Sequence, residues 1–104
     1  MSDENLFRQH AESALKALED HLYAREEQED AFETEVQGGV LQILFELHAT
    51  KFVITANAPV RQIWISALST SFKLDWDEAL GGFVYKNEQL IPLVDRLIGE
   101  QLAA

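Results

Sequence analysis

Cysteine is missing from the 104 residues, proline occurs twice, glycine five times, and only eight lysines and arginines stand against eighteen aspartates and glutamates. Without cysteine there is no disulfide framework, thiolate nucleophile, redox pair or cysteine-ligated cluster, so any metal must be held by oxygen or imidazole. The shortage of basic groups leaves a formal net charge of -10, which disfavours direct contact with nucleic acid or an anionic membrane. No apolar run approaches the roughly 18 residues of a membrane helix. The opening MSDENLFRQH lacks the basic-then-apolar order of a secretory signal, so a cytoplasmic protein is expected. What is present, 47% hydrophobic residues and 10% aromatic ones, suits a single folded domain over residues 1–104.

Charge is uneven along the chain. Residues 1–35 hold eleven acidic and three basic side chains, and the remainder seven and five. Within that first third, Phe7, Ala11, Ala14, Leu15, Leu18 and Leu22 fall at helical spacing and predict an amphipathic helix. It should start near residue 3, capped by Ser2 or Asp3, and fray after about Glu26 in the charged stretch. The period then changes from 3.6 to 2, with Phe32, Thr34 and Val36 on one side of a strand and Glu33 and Glu35 on the other. Gln37-Gly38-Gly39 predicts a tight hairpin into Val40–Phe45. Lys51–Thr55, Gln62–Ser66, Phe72–Trp76 and Gly82–Tyr85 read as four further strands. Leu90, Val94, Leu97, Ile98 and Leu102 define a closing helix, which begins either at about Leu90 or, with a distorted first turn around Pro92, after an Asn87 cap. A helix, a meander and a helix without βαβ alternation predict an α+β two-layer sandwich: two terminal helices on one face of an antiparallel sheet of about six strands.

No phosphate loop, nucleophile elbow or HExxH occurs, and Asp75-Trp76-Asp77-Glu78 fails as a calcium loop because the glycine and distal glutamate spacing is wrong. His10 and His21 lie about 16 Å apart along a continuous helix, too far to share an ion. Each reads as a solvated or boundary imidazole, with His21 the one near the acidic cluster, and His48 belongs to a turn. The segment from Glu19 to Glu35 carries eight carboxylates against Arg25 alone. It reads as a solvated face, as a surface for hard cations held weakly and openly, or as a docking edge for a basic protein. On the strand Gln62-Ile63-Trp64-Ile65, alternation puts Trp64 opposite the two isoleucines. If the helices cover the isoleucines, Trp64 faces solvent beside Gln62, with Val40, Gln42 and Leu44 as neighbours, and has the makeup of an interface anchor. The other reading is an indole packed on an adjacent strand or loop.

Acidic helix 1 running into Glu33-Thr34-Glu35-Val36, then Gly38-Gly39-Val40-Leu41-Gln42-Ile43, Phe52-Val53-Ile54 and Pro59-Val60-Arg61-Gln62-Ile63-Trp64-Ile65, resembles a bacterial frataxin over essentially the whole chain. The resemblance implies a frataxin-like fold and a role in iron-sulfur cluster assembly: iron, ferrous or ferric, weakly bound by carboxylates, and regulation of the cysteine desulfurase near the scaffold protein. It maps the acidic ridge onto Glu19, Asp20, Glu27, Glu29, Glu33 and Glu35, and the sheet surface onto Asn57, Gln62 and Trp64. Ala24, Arg25 and Ala31 stand where the family usually has acids, Thr55 replaces an asparagine frequent in eukaryotic members, and the Gly-Pro turn after strand 4 is absent. The expectation is a monomeric, non-catalytic regulator or iron donor. The alternatives are a ferroxidase working at paired ridge carboxylates and a small acidic secretion chaperone, which would dimerise through an apolar surface.

Overall fold

Helix α1 spans Asp3–Glu29 in the computed structural model, which describes residues 3–104. Its stripe is real: Phe7, Ala11, Leu18 and Leu22 are buried, while Ala14 and Leu15 are half-covered at the margin. Asp3 and Glu4 occupy the first turn, where the dipole favours them, and Ser2 lies outside the described residues. The helix does not fray after Glu26. Arg25 bonds Glu29 one turn on and reaches across to Asp95, 70 residues away, so the last turn is held by tertiary contacts that local charge repulsion does not reveal. Asp30 ends it in the left-handed region (φ 49°), its N–H still donating to the Glu26 carbonyl.

Seven strands follow: β1 (Glu33–Gln37), β2 (Val40–Phe45), β3 (Thr50–Asn57), β4 (Gln62–Ala67), β5 (Thr70–Asp77), β6 (Gly82–Tyr85) and β7 (Glu88–Gln89). Each pairs antiparallel with the next in one meander, rather than the six expected. The extra strand has two residues, too few for alternation to register. It exists because Lys86 and Asn87, both at positive φ, turn the chain back so that Tyr85 faces Glu88. The Gln37–Val40 hairpin forms as read, with Gly38 and Gly39 at φ 59° and 80°.

Leu41, Ile43, Phe45, Ile54, Ile63, Ile65, Leu74 and Phe83 turn one sheet face inward, and both helices close it. Full burial of such side chains contributes about 1.5–3 kcal/mol each. Helix α2 covers Leu90–Ala103, with Gln89 in extended conformation before it; this settles the open start, and Pro92 sits in the first turn where its missing N–H has no partner to lose. Leu93 and Gln101 join its buried face, the latter bonded to His48 Nδ1 at 2.8 Å, while Leu102 stays half-covered. No helix among the described residues is long and apolar enough to cross a membrane.

Candidate docking and cation surface

A seven-residue step nearly closes two helical turns, so Glu12, Glu19 and Glu26 recur on one side of α1. That side faces β1. Glu26 Oε2 accepts the Thr34 N–H at 3.0 Å, fastening the end of α1 to the sheet edge, and Glu12 and Glu19 border a hollow floored by Leu15, Val36 and Leu41. The basic residues nearby turn to their own helical partners: Arg8 to Glu4 at 3.1 Å and Lys16 to Asp20 at 2.7 Å. The Asp20 hydrogen bond raises the Lys16 pKa above its ordinary value. Tyr23 is also raised, by partial burial and then by its hydrogen bond with Glu19.

The opposite side of α1 faces α2 and is charge-paired. His21 Nε2 lies 2.9 Å from both Asp95 carboxylate oxygens, and Arg25 Nη1 donates to Asp95 at 3.0 Å. Arg25 also bonds Glu29 and lies 5.8 Å over the Phe32 ring. Its pKa is raised, chiefly by the hydrogen bonds it donates to the Glu29 carboxylate and further by Asp95. These groups line an open cleft of about 550 Å³. His21, expected beside the acidic cluster, thus belongs to the interhelical seam.

The six predicted ridge residues are therefore not brought to one point. Glu19, Asp20 and Glu27 lie on α1 outside the seam, Glu29 is tied to Arg25, and Glu33 and Glu35 stand on the outer sheet face, opposite Leu44 and Gln42 of β2. Glu19, Glu27, Glu33 and Glu35 have no ion-pair partner among the described residues. Nor do three or more acidic or imidazole groups among the described residues converge where one ion could be enclosed. Glu12 lies outside the Glu19–Glu35 segment and Glu26, within it, is not among the six ridge residues, although the seven-residue spacing of both from Glu19 is visible in the sequence.

Asn57, Gln62 and Trp64 do share the outer face, with Asn57 directly opposite Gln62. Trp64 is half-buried instead of fully open. Its N–H donates to Gln62 Oε1 at 2.8 Å, Gln62 in turn donates to Asp75 at 3.1 Å, and the Lys73 ammonium sits 4.8 Å over the indole. Its strand neighbours are Thr55 and Lys73; Val40 lies one strand further and Gln42 and Leu44 belong to other rows.

A family model described as a Frataxin-like domain matches residues 1–104. The iron-sulfur cluster assembly protein CyaY of Pseudomonas aeruginosa is 37% identical over 82 residues, spanning 70% of this chain and 75% of that protein. The protein of the same name from Azotobacter vinelandii is 32% identical over 83 residues, spanning 71% and 74%. Among solved structures, a frataxin from Psychromonas ingrahamii aligns with a TM-score of 0.64 over 96% of this chain and 91% of its own, at 21% identity, a likeness of fold.

Proposed function

The chain belongs to the frataxin-like family, and from that premise we propose that it serves iron-sulfur cluster assembly, the task its CyaY relatives are named for. In this reading residues 1–104 act as one cytoplasmic, monomeric domain. It is an iron-binding regulator or iron donor that docks on the cysteine desulfurase beside the scaffold protein.

The reading rests on one observation: along the α1–β1 edge, Glu19, Glu27, Glu33 and Glu35 lack a cationic partner among the described residues, while in the seam behind them Arg25 bonds both Glu29 and Asp95. Carboxylate oxygens suit hard cations. Spread along a helix and a strand, they take up iron as cargo, singly or in loose pairs, and release it readily. Asp20 and Glu29 contribute only when a cation displaces Lys16 or Arg25. The same field steers a positively charged protein to this edge, with an association that weakens as salt rises. Asn57, Gln62 and Trp64 supply a second, rigid contact for the scaffold. The indole N–H is already satisfied by Gln62, so the partner meets mainly its edge and the Lys73 roof.

A secretion-chaperone role has no support from the family. The decisive test is a pull-down with purified desulfurase, with and without ferrous iron and across a salt series. Reversing Glu19, Glu27, Glu33 and Glu35 to lysine should abolish capture and leave the circular dichroism unchanged; capture equal to wild type would reject the edge as the docking site.

A further inference from the structure

Val36 sits on the inward side of β1 opposite Leu41, which is 2% exposed, yet Val36 itself is 44% exposed. The cause is local. The Gly38–Gly39 turn beside it carries no side chain, and a Cβ at either glycine would meet nothing within 4 Å. Leu15 of α1 covers the gap only in part. What remains is a groove of two adjoining hollows, about 190 and 290 Å³, which share Glu12, Leu15 and Gly39.

We propose that this groove receives an aliphatic side chain from a basic helical segment of the partner protein, giving the acidic edge an apolar anchor. The proposal rests on the docking function stated above and names the chemistry by which the partner is gripped. Each hollow is smaller than the roughly 300 Å³ at which small-molecule sites begin, and is of a size for one side chain, as interface anchors are. The floor of Ala11, Leu15, Val36 and Leu41 is apolar. The rim carries Glu12 and Glu19, which have no ion-pair partner among the described residues, and also Arg8 and Lys16, whose charges are taken up by Glu4 and Asp20, leaving the rim with an acidic excess. Apolar floor and anionic rim together select an aliphatic group flanked by lysine or arginine. Strand addition along β1 is disfavoured, because Glu26 already occupies the Thr34 N–H that an added strand would need. A helix laid beside α1 needs no such donor.

The two forces are separable because one substitution affects them with opposite sign. Val36→Asp adds a carboxylate to the rim, which strengthens a purely electrostatic contact, but it removes the apolar floor. Affinity of the full-length variants for purified desulfurase should therefore fall about tenfold for Val36→Asp and about threefold for the near-isosteric Val36→Thr, on the scale of single anchor truncations. Glu12→Lys should also lose about threefold and flatten the salt dependence. Melting temperatures report that each variant is folded, and Val36→Thr, which keeps the shape and strand preference of valine, carries the test if Val36→Asp does not fold. Binding within twofold of wild type for both Val36 variants, while the four-site lysine reversal abolishes it, would overturn the groove and leave the docking edge standing. If the reversal also leaves binding intact, the docking reading falls and the groove with it. A concentration-dependent dimer abolished by Val36→Asp would assign the groove to a second copy of the chain and overturn the proposal.

Discussion

Helix α1 presents two flanks, each rich in charged side chains, with opposite electrostatic outcomes. Toward α2 it offers His21 and Arg25, and Asp95 answers both, with Glu29 closing the set. Toward β1 it offers Glu12, Glu19 and Glu26, none of which has an ion-pair partner among the described residues; Glu26 accepts a backbone N–H and Glu19 interacts with the Tyr23 hydroxyl. The seam spends its charges on holding two helices together. The strand-side edge keeps its charges available, at the cost of mutual repulsion within one helix. The proposed docking role therefore rests on where counter-charges are missing among the described residues, not on where acids are most numerous.

The largest expected effect tests the edge. Reversal of Glu19, Glu27, Glu33 and Glu35 should lower desulfurase affinity by about 100-fold or more, within the range measured for complementary charge pairs at interfaces, with no change in melting temperature beyond a few degrees. A large loss of stability would show that the edge is structural after all and erase the contrast. Next is the seam, where Arg25→Met removes the partner of Asp95 and Glu29 while keeping apolar cover over Phe32. Loss of this partly exposed pair should cost about 1 kcal/mol in denaturant unfolding and leave desulfurase affinity at or slightly above wild type. Equal loss of binding would mean that the seam, too, is a docking surface.

Glu26→Ala comes third. It strands the Thr34 N–H at the sheet edge, which should cost about 1 kcal/mol and raise amide exchange at Thr34 more than at Ile43. The smallest effect is on the paired side of α2, where Arg96 bonds Glu88 twice at 2.8 Å and holds its carboxyl below the ordinary 4.5. A lowered folded pKa means that this stabilisation is full above 4.5 and fades as pH falls below it. The melting-temperature gap between wild type and Arg96→Ala should therefore be small at neutral pH and close in acid. A gap that widens in acid would contradict the pairing.

The strands and hairpin were legible because alternation and paired glycines are local signals: Thr34, Val36, Gly38 and Gly39 needed no knowledge of the rest of the chain. The end of α1 was not legible, since what holds Arg25 in place lies 70 residues away on α2. The same holds for His21, whose partner Asp95 is 74 residues distant. Strand β7 escaped because two residues carry no period, and its turn uses Lys86 and Asn87 at positive φ without glycine. At the candidate site, composition marked the acidic segment but could not sort it by partner. Glu29 differs from Glu27 only in which side of one helical turn it occupies, and that decides whether Arg25 neutralises it. Trp64 was placed on the right face by parity, but Lys73, which roofs it, comes from β5 and enters only through register.

The most direct test is the salt dependence of desulfurase affinity for the wild-type chain and the four-site lysine reversal, measured side by side. The account predicts that wild-type affinity falls steeply with rising salt and that the reversed chain shows no binding above background at any salt. Parallel, shallow curves of similar affinity would contradict it.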